Sequence, residues 1–199
     1  NLASRLSSVD EVNLHIYSRN PENAANSMPE FQSIIRPTDS ISEDVDLLIV
    51  AISDDAIASF VKSIPDIPVA HTSGSIGLEK LKHLTTSGIF YPLQSLSRTD
   101  ESLQVEVPIL IESESNEFQS KLLKLGSMIS NNVQVVDSEK REKLHVAAVI
   151  VNNLVNQLYV EGKNVTNHFD VDFDLLKPLI LNTAKRVMSN NPEQMQTGP

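Results

Sequence analysis

The sequence predicts an α/β protein, a Rossmann-type, mostly parallel sheet followed by a smaller all-α part, and three observations carry that prediction. Leu47–Ile52 is apolar at every position and Val69–Thr72 nearly so. Runs without alternation mark strands covered on both faces, the habit of parallel sheets packed between helices. Each run stops abruptly at small polar residues, Ser53-Asp54-Asp55 and Thr72-Ser73-Gly74-Ser75, where an open parallel sheet places its ligand site. Beyond Asp137 the texture changes, because Ser138–Glu161 holds neither Gly nor Pro and fits one long helix.

The elements follow in order. Asn1–Leu6 has the character of a helix already under way, and Val12–Tyr17 alternates like a strand that closes in the turn Ser18-Arg19-Asn20-Pro21. Asn23–Phe31 is expected as a short helix and Ser33–Ile35 as a short strand; the polar stretch Ser40–Asp44 leads into the buried strand Asp46–Ile52. Asp55–Ser63 is amphipathic and helical, ended by Pro65. Val69–Thr72 is the next strand, Gly77–Leu84 a helix, and Gly88–Tyr91 and Val107–Ile111 two further strands. Asn116–Ser130 sets Phe118, Leu122, Leu123, Leu125 and Met128 at helical spacing, before a last short strand at Val133–Val136. Asp137 is a plausible N-cap for Ser138–Glu161. Asp172–Asn190 is a second helix that Pro178 should kink or divide. The organisation expected is an α/β domain over residues 1–137 and a helical domain over 138–199.

Composition narrows the function. The chain of 199 residues is 40% hydrophobic and carries a formal net charge of −10, which argues against general binding to nucleic acid or to anionic membranes. It has no cysteine, hence no disulfide and no thiolate metal site, in keeping with a cytoplasmic location. Its longest apolar runs, Leu47–Ile52 and Val146–Val151, are far short of the roughly 20 residues that cross a bilayer.

A nucleotide is the ligand class that this strand order suits. In such folds the residue closing the second strand meets the adenine ribose, an acid there selecting NAD and an arginine accommodating the 2′-phosphate of NADP. Here Ser18-Arg19-Asn20 stand at that place with no acid, and a guanidinium fork beside a hydroxyl suits a phosphate monoester. A solvent-facing turn arginine is the other reading. The G-x-G-x-x-G fingerprint is not present; Asn1-Leu2-Ala3 would be the tail of such a loop entering its helix. Ile52, Ser53 and Asp54 close one strand, and Thr72, Ser73 and Gly74 another. Glycine there lets a ligand approach the backbone and the hydroxyls can bond ribose or substrate, unless the segment is only a Gly/Ser turn. Asp54-Asp55 would make a metal pair or, more simply, cap the following helix.

On an ideal helix turning about 100° per residue, Ser138, Arg141, His145, Ala148, Asn152 and Asn156 share one narrow face of the long helix. Most of the remaining circumference is apolar (Leu144, Val146, Ile150, Val151, Leu154, Val155, Leu158), which predicts burial and a polar stripe facing partners or a wet cavity. His145 can serve as a proton donor and an asparagine farther along can orient a substrate. Alternatively these are structural groups satisfied by backbone or by a second subunit. So broad an apolar face also predicts a homodimer built by the helical part.

The stretches HTSGS at 71–75, IFYPLQSLSR at 89–98, DSEKREKLHVAAVIVNNLVNQLY at 137–159, FDLLKPLILNTAKRV at 173–187 and QTGP at 196–199 together resemble one bacterial family. Its members are assigned as NADP oxidoreductases with a Rossmann-like N-terminal domain and a helical C-terminal domain of unknown function. They are distant relatives of pyrroline-5-carboxylate reductase and the β-hydroxyacid dehydrogenases. The resemblance implies NADP as cofactor and hydride transfer to or from a small carbonyl, imine or hydroxy acid held between the domains. It further implies His145 as general acid, with Tyr91 and Gln94 near the substrate. In the β-hydroxyacid relatives a lysine followed by an asparagine does the proton work. Here His145 stands at the comparable place, with Asn153 at the usual asparagine position, Asn152 on the better helical face, and Lys143 turned away. A non-catalytic NADP-binding or interaction protein is the alternative.

Overall fold

A computed structural model describes residues 2–94 and 105–195. The chain divides into two compact units, 1–148 and 149–199. The helix that opens at Ser138 gives its first eleven residues to the first unit.

The first unit begins with α1 (Leu2–Ser7), β1 (Ile16–Ser18), α2 (Pro21–Ser27) and β2 (Ile35–Pro37). Strands β1 and β2 pair in parallel as a two-stranded sheet. The alternating stretch expected from Val12 narrows to three paired residues. Pro21 lies in the first turn of α2, where its fixed φ suits a helix start. The chain then tightens into a 3₁₀ turn at Pro29–Ile34, so the single helix expected over Asn23–Phe31 is two short pieces.

The remaining strands of this unit form a five-stranded sheet, with β3 (Leu48–Val50), α3 (Asp54–Phe60), β4 (Val69–His71), β5 (Ser87–Pro92), β6 (Ile109–Glu112), α4 (Asn116–Ile129) and β7 (Val133–Val135). Their order is β3-β4-β5-β6-β7, with only the β5–β6 pair antiparallel. The mostly parallel sheet is as the unbroken apolar runs require. Val69, Ala70, Ile89 and Phe90 are fully buried. One face packs Val50, Val69, Ile89 and Tyr91 against Ile57, Val61 and Leu81. The other packs Ala70, Phe90, Ile109 and Ile111 against Phe118 and Leu122 of α4. The helix expected at Gly77–Leu84 is a single 3₁₀ turn, Leu78–Leu81.

The long helix departs from its expectation. It is α-helical over α5 (Ser138–Ala148), π-helical over Val149–Leu154, and α-helical again over α6 (Val155–His168). Asp137 caps it as expected, its Oδ1 accepting from the Lys140 N–H at 2.8 Å. A 3₁₀ turn at Phe173–Leu176 precedes α7 (Lys177–Ser189). Pro178 sits in the first turn of α7, where its missing N–H costs nothing, so it starts that helix rather than kinking it.

No described residue of the second unit is buried. The apolar circumference that predicted burial is exposed in this unit, with Val151 at 71%, Leu154 at 53% and Leu158 at 68% of full exposure. No helix among the described residues is long and apolar enough to cross a membrane.

Candidate functional site

The carboxyl ends of β3 and β4 in the five-stranded sheet lead into two of the predicted segments of the first unit, residues 52–55 and 72–74. Beyond β3 the chain goes from buried to exposed within a residue, so Ile52, Ser53, Asp54 and Asp55 all face solvent. Ser53 is the N-cap residue of α3 by backbone only, with no side-chain bond. Asp54 and Asp55 lie in the first turn, where their charge meets the helix's positive end, so neither is the cap that the sequence suggested. The Asp54 carboxylate instead accepts a 2.5 Å bond from the Ser75 hydroxyl. That bond joins the β3 edge to the loop after β4.

This loop is built by its own side chains. The buried Ser73 hydroxyl accepts from the N–H groups of Ser75 (3.2 Å) and Ile76 (3.0 Å), and the Ser73 N–H donates to His71 Nδ1 at 3.2 Å. The Ser73 oxygen therefore shapes the turn. The Thr72 hydroxyl, half-buried beside it, donates to the Val50 carbonyl at 3.5 Å.

Gly74 is the tightest point. A Cβ added there would stand 2.5 Å from Nδ1 and 2.7 Å from Cγ of His145, and 2.8 Å from Cζ of Tyr91. Those two side chains meet in turn: Tyr91 Oη lies 3.0 Å from His145 Nδ1, the rings edge to face with centroids 6.0 Å apart. Tyr91 is nearly buried at the end of β5, and burial, opposed by the charge of Arg141, holds its phenol above its usual pKa. The phenol can donate to a bare Nδ1 or accept from a protonated one, so the contact holds in either state of the imidazole. Three residues singled out separately in the sequence, Gly74, Tyr91 and His145, thus form one constellation.

Gln94, just past β5, is partly buried with its Oε1 unpartnered among the described residues. Ser18 is the last residue of β1, one beyond the expected strand end, and Arg19 and Asn20 follow it in the turn. The Ser18 hydroxyl bonds the Asn20 backbone, and Asn20 Oδ1 caps α2 by accepting from the Asn23 N–H at 3.0 Å. Both side chains are thereby used in the turn, while Arg19 is exposed and takes part in none of the ion pairs of the described residues. Leu2, half-buried, packs on the core under α4; Asn1 lies outside the described residues. Asn152 and Asn153 belong to the second unit, within the π-helical stretch, where Asn152 Nδ2 donates to Asn153 Oδ1 at 3.3 Å. The ideal-helix phase that set Asn152 in line with His145 does not hold beyond Ala148, because a π-turn advances less per residue. Among the described residues no three His, Asp or Glu side chains converge as a metal site.

Two groups that the sequence reading named without assigning them a role are buried. Arg141, 1% exposed, pairs with Glu112 at the end of β6. His71, fully buried at the end of β4, is pushed down from 6.5 to about 4, by burial first and then by the nearby Arg141 charge, against weaker opposing pulls from Asp54, the Gly77 backbone and Glu79. Each had a signal: a histidine inside an apolar strand, and a charge in line with His145 on a largely apolar helix. His71 gives a pH prediction. The folded group holds its proton more weakly than the unfolded chain, so unfolding takes up a proton as the pH falls below 6.5. Its stabilising contribution is complete above that pH and is lost toward about pH 4, amounting to about 3 kcal/mol. Urea unfolding at neutral pH and near about pH 5 should show His71→Asn losing less stability on acidification than the wild type. Equal losses would remove His71 from the acid response.

Comparisons with known proteins agree with this architecture. Residues 107–199 match the family described as "Domain of unknown function (DUF2520)". A crystal structure of a "putative NADP oxidoreductase" from Bacteroides fragilis is 31% identical, with a TM-score of 0.87 over 100% of this chain and 80% of that one. A Thermotoga maritima protein aligns at 21% identity and a TM-score of 0.78 over 93% of this chain and 75% of that one. Pyrroline-5-carboxylate reductase from Streptococcus pyogenes shares the fold at 12% identity, with a TM-score of 0.70 over 100% and 78%. No curated protein sequence matches the chain.

Proposed function

The chain belongs to the oxidoreductase family of the Bacteroides fragilis protein, and from that premise we propose that it is an NADP(H)-dependent oxidoreductase acting on a small carbonyl, imine or hydroxy acid. The observation that carries this reading is the Tyr91–His145 pair, standing at the carboxyl edge of the parallel strands and pressed against Gly74.

The residues present fit the cofactor. Ile52, Ser53, Asp54, Thr72 and Gly74 line the strand-end edge, which is exposed over residues 51–55 directly after a buried strand. Arg19 projects from the end of β1 with Ser18 and Asn20 shaping its turn. When bound there, the nicotinamide supplies or accepts the hydride, and the protein supplies position and a proton. His145 as imidazolium gives that proton from Nε2 while its Nδ1–H donates to the Tyr91 hydroxyl oxygen, a bond that fixes the ring plane and leaves a neutral imidazole after the transfer. Gly74 leaves the two rings room to meet. The deciding experiment is NADPH oxidation by the full-length protein against a panel of small carbonyl and imine compounds. Binding of NADPH without turnover of any member would favour a cofactor-binding protein that is not an enzyme.

Arg19 gives the cofactor prediction. A charge-assisted, bidentate contact to the 2′-phosphate contributes about 1.5–3 kcal/mol, roughly a tenfold to hundredfold preference for NADPH over NADH. Calorimetric titration of both cofactors should show that preference, and Arg19→Ala should abolish it. Equal affinities in the wild type would exclude the assignment.

A homodimer is part of the same proposal. The second unit exposes Leu154, Leu158, Leu175, Leu179 and Met188 by more than half, and apolar surface on that scale marks an interface. A second copy covers it most simply, since a twofold contact pairs one patch with itself. Sedimentation of the full-length protein at micromolar concentration should show dimers; monomers alone would defeat this.

A further inference from the structure

Arg141 lies one helical turn before His145 on α5, so both side chains project from the same face. Its side chain is 1% exposed, too deep to touch a ligand in solution. What it does touch ties three elements together. One guanidinium nitrogen pairs with the carboxylate of Glu112 at the end of β6. The other donates to the Ile76 carbonyl at 2.5 Å and to the Ser138 hydroxyl at 3.2 Å. Glu112 in turn holds the start of α5, accepting from the Ser138 N–H at 2.9 Å and from its hydroxyl at 2.8 Å. Ile76 belongs to the loop that Ser73 organises, two residues beyond Gly74. The helix carrying His145, the loop carrying Gly74 and the sheet carrying Tyr91 are thus all joined by one guanidinium and its carboxylate.

We propose that Arg141, held by Glu112, is a positioning residue that sets His145 against Tyr91 and Gly74, and so fixes the nitrogen from which the proton is delivered. The fork is what the task needs: two terminal nitrogens serve a carboxylate, a carbonyl and a hydroxyl at once, where an ammonium is a point charge on a flexible stem. A buried charge also keeps its partners in one arrangement, because any other leaves it unpaired.

The test uses the full-length protein and reads the Tyr91–His145 contact directly by NMR, as the cross-peaks between the two rings and the protected Tyr91 hydroxyl proton, assigned by their loss in Tyr91→Phe. Arg141→Lys should lose those signals while the fold and NADPH affinity persist. Leu122→Ala, which empties a site in the core on the other face of the sheet, should destabilise the protein and keep them. Should Arg141→Lys fail to fold, Glu112→Gln carries the same expectation, since it keeps an acceptor for Ser138 and removes only the charge beside Arg141. Wild-type ring contacts in either folded variant would overturn the proposal. Its catalytic meaning rests on the reading of His145 as proton donor, and turnover separates the two. Lost contacts with kcat down about a hundredfold support both; lost contacts with wild-type kcat refute the donor role and leave the positioning standing.

Discussion

Replacing Gly74 by alanine is expected to lower turnover about a hundredfold and to cost about 1–3 kcal/mol of stability, from a single methyl group. The added Cβ would lie 2.5 Å and 2.7 Å from two atoms of the His145 ring and 2.8 Å from the Tyr91 ring. One of the atoms met is Cγ, next to the backbone, so the clash cannot be relieved by swinging a flexible tip. Either His145 leaves its rotamer or the loop moves, and both part Nδ1 from the Tyr91 hydroxyl. The backbone at Gly74 is not in the left-handed region, so the whole effect is one of space. Gly162 is the control: a Cβ there meets only Phe173 Cε2 at an ordinary 3.8 Å, inside a helix where alanine is favoured by roughly 0.8–1 kcal/mol. Gly162→Ala should therefore match or exceed the wild-type melting temperature with unchanged turnover. A Gly74→Ala enzyme as active as the wild type would show that the ring pair is not part of the chemistry.

That contrast also marks how far the sequence can be read. The five-stranded sheet was legible because its central strands are short, mostly apolar runs, and the fully buried Val69, Ile89 and Ile111 follow from that pattern. The helix breaks at Pro21 and Pro178 were visible as punctuation, but whether proline ends a helix or begins one depends on the turn before it, which composition does not show. The π-helical stretch had no signal at all, and a count at the ideal α-helical step does not carry past Ala148 because of it. At the site, Gly74, Tyr91 and His145 were each visible by chemical type and position. Their meeting was not, because contacts between residues 17 and 54 positions apart are a product of strand order and crossover. Arg141 was placed on the His145 face, but its pairing with Glu112 was missed for a different reason. A charged residue on a helix is ordinarily solvated, and only the partner carboxylate of Glu112, 29 residues earlier, makes its burial tolerable.

His145→Gln is expected to reduce turnover by about 10²–10⁴-fold, the usual contribution of a positioned acid or base, with little change elsewhere. Glutamine is the informative replacement. Its amide can accept from or donate to the Tyr91 hydroxyl, which now bonds Nδ1, so the phenol is not left buried and unpaired, a state that costs about 1–3 kcal/mol. It cannot carry a transferable proton at neutral pH. Melting temperature should therefore stay near the wild-type value. The affinity for NADPH should change little as well, since the residues proposed to hold the cofactor lie on the strand-end loops and at the end of β1. His145→Ala serves as the contrast, losing turnover and also stability, because it strands the Tyr91 hydroxyl. A histidine with a purely structural role gives the opposite pattern, stability falling in both variants while the chemistry of the folded fraction persists. Turnover, melting temperature and cofactor affinity measured on the two proteins separate these outcomes. A well-folded His145→Gln protein with wild-type turnover would remove His145 from the mechanism.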